Sequence, residues 1–173
     1  VAIYDSLTIP TTPEFKMALT FLNSYGMTIF DSIDAFAIND PMTRAQAAKM
    51  FSNFATNVLC RKADDITISY SDIANADSSL TPYILKAYQL GLMKGWKDNT
   101  FRPNEIITKA ELNAVLTRMI LKSYLSEESA VWYEKYNEVA TKLGIITKWA
   151  KEESVSRHDA ALMLFRAYRE DRK

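Results

Sequence analysis

Three stretches of the chain carry the same order of apolar and polar positions. Counting from Thr43, apolar residues stand four, seven, eight and eleven places on, at Ala47, Met50, Phe51 and Phe54. The same offsets from Thr108 give Leu112, Val115, Leu116 and Met119, and from Ser156 they give Ala160, Met163, Leu164 and Ala167. This spacing draws a single stripe along a helix of 3.6 residues per turn, so it predicts three amphipathic helices. Their starts are marked as well. Met42-Thr43-Arg44-Ala45-Gln46, Ile107-Thr108-Lys109-Ala110-Glu111 and Val155-Ser156-Arg157-His158-Asp159 each read apolar residue, hydroxyl, base, and a Gln, Glu or Asp three after the hydroxyl. That is a capping box, in which the hydroxyl accepts from the N3 amide and the N3 side chain reaches back. Asp159 is a shorter version of that arm.

A second helix is predicted upstream of each cap, ending at Gly26, Gly91 and Gly144, where the chain can turn through a left-handed conformation. Glycine and cap hydroxyl are separated by the same interval in the first two copies, and the third copy has lost five residues from that connection. Seven places before the hydroxyl stand Phe36, Phe101 and Trp149, read as core plugs at a common position. The unit is therefore helix, glycine stop, loop, capped helix. Three units, at about 1–62, 63–124 and 125–173, are expected to share one domain.

Composition narrows the picture. Only 4 Gly and 5 Pro among 173 residues favour helices over turn-rich sheet. With 21 Lys+Arg against 21 Asp+Glu the formal net charge is +0. Proteins that wrap phosphate backbones carry a basic excess, so a helix-turn-helix DNA-binding reading is disfavoured. The single cysteine, Cys60, excludes an internal disulfide framework and a Cys-based zinc site; it is read as a small buried hydrophobe. Apolar runs are too short to cross a bilayer, so no membrane insertion is expected. The beginning, Val1-Ala2-Ile3-Tyr4-Asp5, reads as a processed or excised terminus.

The middle copy is the most distinctive. It runs from Tyr70-Ser71-Asp72-Ile73 through Ala87-Tyr88-Gln89-Leu90-Gly91 to Met93-Lys94-Gly95-Trp96-Lys97-Asp98-Asn99-Thr100-Phe101-Arg102-Pro103-Asn104 and Ile107-Thr108-Lys109-Ala110-Glu111. It resembles the S-layer homology (SLH) repeat, with its aromatic-x-Asp opening, helix ending in Gly, Gly-containing loop ending in Phe-x-Pro, and Ile-Thr-Arg-Ala-Glu helix start. The first and third copies resemble it less closely. The resemblance implies an all-α fold of three helix-loop-helix repeats in a pseudo-threefold spindle around a central helix bundle. It also implies a non-catalytic, cofactor-free anchor at the bacterial cell surface, cell wall or S-layer. The implied partner is a secondary cell-wall polysaccharide or peptidoglycan-linked polymer, anionic and in many relatives pyruvylated, bound in grooves between repeats.

The residues expected to bind are Arg44, Lys109 and Arg157 after the three caps, with Trp96, Gly95 and Asp72 of the middle copy. An Arg fork holds a carboxylate through two parallel hydrogen bonds, and a helix N-terminus adds amide donors and partial positive charge. Each has a structural alternative. The three bases could pair with acids, Trp96 could plug the core, and Asp72 is read foremost as the cap of a short helix through Ile73-Ala74-Asn75, with ordering of the groove second. His158 is read as a surface residue.

This chain departs from the family pattern at Lys109, a point charge where the family prefers Arg. It departs again at Phe30-Asp31-Ser32-Ile33-Asp34-Ala35, a loop with two acids and no glycine, and at the shortened third loop. The expectation is polysaccharide binding reduced to one groove, or lost. The alternative function is a structural subunit whose SLH-like repeats assemble with other copies of itself or with surface-layer proteins in a layer or filament. With one His and one Cys no nucleophile–base pair is indicated, Asp98-Asn99-Thr100 lacks the glycine and distal Glu of a calcium loop, and no phosphate-binding glycine loop occurs.

Overall fold

A computed structural model describes residues 12–28, 30–36, 39–146 and 151–171, without the side chains of 170 and 171. The chain's first residues and Trp149 lie outside the described set. The fold is all-α. Among the described residues there are seven α-helices and no sheet: α1 (Pro13–Ser24), α2 (Ile33–Phe36), α3 (Arg44–Asn53), α4 (Thr81–Gln89), α5 (Lys109–Leu121), α6 (Glu134–Lys142) and α7 (Arg157–Asp171). A π-helical turn, Phe54–Val58, continues α3, and a 3₁₀ turn occupies Ile73–Asn75.

The helix boundaries follow the local signals. Thr43 and Thr108 form complete capping boxes with Gln46 and Glu111, and Ser156 Oγ accepts from the Asp159 amide at 3.2 Å. Gly26, Gly91 and Gly144 have φ of 68°, 68° and 71°. At each, the glycine amide bonds the carbonyl three residues back and the next amide bonds five back, as in Met27 N–H to Leu22, Leu92 N–H to Ala87 and Ile145 N–H to Ala140, all 2.9 Å. These are Schellman motifs. The predicted apolar stripes are buried throughout, with only Met50 partly exposed.

Tertiary packing crosses the boundaries of the sequence units. α3 packs on α4, α5 on α6, and α7 on α1. Each capped helix thus meets the glycine-terminated helix of the following unit, and the last contact returns to the beginning of the chain. A bidentate ion pair fastens that return, with Arg166 of α7 donating to both Glu14 oxygens of α1 at 2.8 and 2.7 Å. The hydrogen bonds from Arg166, opposed by partial burial, hold the Glu14 carboxyl below the ordinary carboxylate value.

The segments that precede the caps meet each other in a closed ring. Met42 N–H donates to Val155 O, Val155 N–H to Ile107 O, and Ile107 N–H to Met42 O, at 3.1, 3.1 and 2.9 Å. A second ring surrounds it, in which Arg44 N–H donates to Glu105 O, Lys109 N–H to Glu153 O and Arg157 N–H to Asp40 O, at 2.8, 2.8 and 3.1 Å. Short antiparallel bridges accompany both. First-turn amides, which have no partner inside their own helix, are satisfied in this way by the neighbouring segment. The side chains of Met42, Ile107 and Val155 are buried at the centre.

Two sequence readings are corrected. Cys60 is exposed; it follows the π-helical turn in a left-handed conformation, φ 52°, that carries it out of the helix. His158 is buried, its ring 4.7 Å from that of Phe15, because α1 covers the first turn of α7.

A groove beside the first cap

A cavity of about 680 Å³ opens beside the N-terminus of α3. Its lining includes Arg44, Gly95 and Trp96, three of the six residues singled out in the sequence, together with Lys94, Arg102, Glu111, Arg118, Glu127 and Trp132. Lys109, Arg157 and Asp72 are not part of it. Although the chain is neutral overall, the cavity is lined by five bases and three acids.

Arg44 is only 5% exposed, yet its guanidinium borders the cavity. Nε donates to the Phe101 carbonyl at 2.9 Å, and Nη1 pairs with Glu111, which is also the N3 arm of the α5 capping box. Burial pushes the Arg44 pKa down, and the Glu111 carboxylate works against that. Arg157 does the corresponding thing elsewhere, with Nη1 donating to the Phe36 carbonyl at 3.3 Å. The base after one cap therefore reaches the carbonyl of the aromatic seven places before another. Lys109 instead pairs with Glu153 at 3.1 Å.

The loop after α4 forms one wall. Gly95 has φ 50°, and a Cβ there would collide with the Tyr70 ring and lie 2.7 Å from the Thr100 carbonyl oxygen. Only glycine allows this backbone to lie against Tyr70. The next residue, Trp96, is 44% exposed rather than plugging the core. Its ring is held by cations, with the Arg102 guanidinium 4.3 Å and that of Arg44 5.7 Å from the ring centre.

Asp72 orders this wall without touching the cavity. Its side chain makes no cap bond to the 3₁₀ turn. Its two carboxylate oxygens accept from the Phe101 and Arg102 amides at 2.9 and 2.7 Å. Those bonds hold Arg102 at φ 59°, a left-handed conformation that a non-glycine residue rarely adopts. The sequence reading favoured the cap; the side chain takes its second alternative.

The opposite wall was missed in the sequence. It comes from α5 and from 122–133, the connection to α6. Arg118, 7% exposed, donates to the Leu92 carbonyl at 3.0 Å, to the Tyr136 hydroxyl at 3.1 Å and to Glu127 at 2.8 Å. Lys94 reaches across from the first wall to the same carboxylate at 2.8 Å. Burial raises the Glu127 pKa, but the hydrogen bonds from Lys94 and Tyr136 and the charge of Arg118 outweigh it, leaving the carboxyl below its ordinary value. One signal for Arg118 was available: it is the one charged residue in the mostly apolar stretch Leu112–Ile120, where a charge needs a buried partner. Among the described residues no group of three or more His, Cys, Asp or Glu side chains could hold a metal ion.

Comparison with known proteins agrees with the middle of the chain. Residues 69–112 match the family model described as the S-layer homology domain. An endoglucanase from Bacillus sp. (strain KSM-635) is 29% identical over 109 residues, covering 57% of this chain. The chain accounts for 12% of that protein's length. No described helix is long and apolar enough to cross a membrane. The matched segment supplies the Gly95–Trp96 wall of the groove, and S-layer homology domains in general are non-catalytic modules associated with the bacterial cell wall and surface.

Proposed function

We propose that residues 1–173 form a single three-repeat SLH-type unit that anchors its bearer by holding an anionic, pyruvylated wall polysaccharide in the groove beside α3. The observation that carries this reading is the cavity itself, which gathers Arg44, Gly95, Trp96 and Arg102 and has an excess of bases over acids. The closed rings of hydrogen bonds between the three cap segments support the threefold repeat.

The mechanism is binding without chemistry. A ketal-linked pyruvate presents a carboxylate, which the Arg44 guanidinium meets through Nη2, since Nε and Nη1 are held by Phe101 and Glu111, beside the start of α3. Trp96 offers an apolar face to a sugar ring, and Arg102 stacked on it limits its motion. Lys109 and Arg157 hold neighbouring segments together in this reading, so one groove carries the affinity. Asp72 contributes by fixing the loop.

Purified sacculi, with and without chemical removal of pyruvyl groups, test the proposal in a pull-down. Retention on intact sacculi that falls when pyruvyl groups are removed is the expected result. Equal retention on both would exclude the pyruvate, and no retention on either would exclude the polymer.

A further inference from the structure

Glu127 is a carboxylate already seated in a groove proposed for carboxylates. It lines the cavity and binds two of its five bases, Lys94 and Arg118. Those bases do not depend on it equally. Arg118 keeps its place through Leu92 and Tyr136, so its Nη2 would stay where it is if Glu127 moved away. Lys94 is about half exposed and follows whichever anion is nearest.

Glu127 is held through three side chains, Lys94, Arg118 and the Tyr136 hydroxyl, the last donating to it at 3.0 Å. It lies on the non-helical segment 122–133, most of whose residues are exposed. Apart from the carboxylate, the segment is tied through Leu125, whose amide donates to the Tyr136 hydroxyl at 3.2 Å, and at its far end through Trp132, whose ring packs on Tyr136 and whose Nε1 donates to Glu152 at 3.1 Å. Tyr124 rests against the cations, 5.3 Å from Lys94 and 4.9 Å from Arg118. A segment with few buried apolar contacts opens at low cost compared with the helices around it.

We infer that Glu127 is an internal counter-ion that competes with the ligand: an anionic polymer seats fully only by taking Lys94 and Arg118 from it, which releases 122–133. This rests on the polysaccharide reading of the groove. It adds that the site selects for polymer charge, since one carboxylate must leave for another to enter and a neutral glycan gains nothing from the exchange.

The full-length chain and Glu127→Gln are compared with polysaccharide released from bacterial sacculi with its pyruvyl groups intact. Glu127→Gln is expected to melt lower than the wild type alone, because Arg118 loses its buried charge partner, and to rise more when polysaccharide is added. Its affinity is expected to be about tenfold higher, the scale of one competing charged hydrogen bond. Hydrogen exchange of the wild type needs no variant: amides of 122–133 are expected to exchange faster with polysaccharide bound. Equal or weaker binding by Glu127→Gln, or greater protection of 122–133 on binding, overturns the counter-ion while leaving the polysaccharide reading intact. Binding by Glu127→Gln alone supports it in its strongest form, and binding by neither protein removes both readings.

Discussion

Arg44 and Lys109 occupy the same place in the sequence pattern, one residue after a capping hydroxyl, and the fold treats their backbones alike. Each donates its amide to a neighbouring segment at 2.8 Å, and each heads a helix closed by a full capping box. Their side chains diverge. Arg44 threads between the Phe101 carbonyl and Glu111 and borders the cavity. Lys109 runs to Glu153, which is more than half exposed. The cap motif therefore secures a backbone junction at Arg44, Lys109 and Arg157 alike, while a groove needs two further things around the base: a glycine-dependent wall and an opposing wall. Arg44 has both, from Gly95–Trp96 and from Arg118–Glu127.

The largest effect expected from breaking this difference is at Arg44. Arg44→Met keeps the stem but leaves Glu111 without its cation and Phe101 without a donor. A cost of about 3 kcal/mol in denaturant unfolding is expected, as when one member of a buried pair is removed, along with loss of sacculus retention. An equal cost at Lys109 would show that the two positions are alike after all.

Gly95→Ala attacks the wall instead. The added methyl meets the Tyr70 ring and the Thr100 carbonyl in a left-handed backbone. Strain of about 2 kcal/mol is expected, relieved partly by displacement of Trp96. Tryptophan fluorescence and retention should change together. Retention unchanged beside a lowered melting temperature would detach the wall from binding.

How far the sequence foretold this molecule follows from the range of each interaction. Caps, glycine stops and apolar stripes were legible because each is settled within a few residues. The pairing of α7 with α1 was not legible, since nothing in either helix names its partner. His158 was misread for that reason: a position two after a cap is solvent-facing until another helix covers it. Arg44, Gly95 and Trp96, which line the cavity, could be singled out because they lie on the motif that carries the resemblance. Arg118, Glu127 and Trp132 were not, because the wall they build includes 122–133, which has no period and no motif. Asp72 was found with its favoured role wrong, since two amides about thirty residues away outcompete a local cap.

The smallest effect belongs to Lys109. In Lys109→Met the ammonium is lost but the helix start remains, because the Lys109 amide still donates to the Glu153 carbonyl and Thr108 and Glu111 still close their box. The partner Glu153 side chain is 59% exposed, so water readily replaces the cation there. The Lys109 side chain is itself 12% exposed, so a cost of about 1 kcal/mol is expected, the upper end for an ion pair with one exposed partner, with sacculus retention unchanged. The comparison is sharpest when Arg44→Met and Lys109→Met are measured in one denaturant series, where equal slopes would show that neither alters the surface exposed on unfolding. Loss of retention in Lys109→Met would place a working groove at the second cap, and the division between junction and groove drawn from Arg44 would no longer hold.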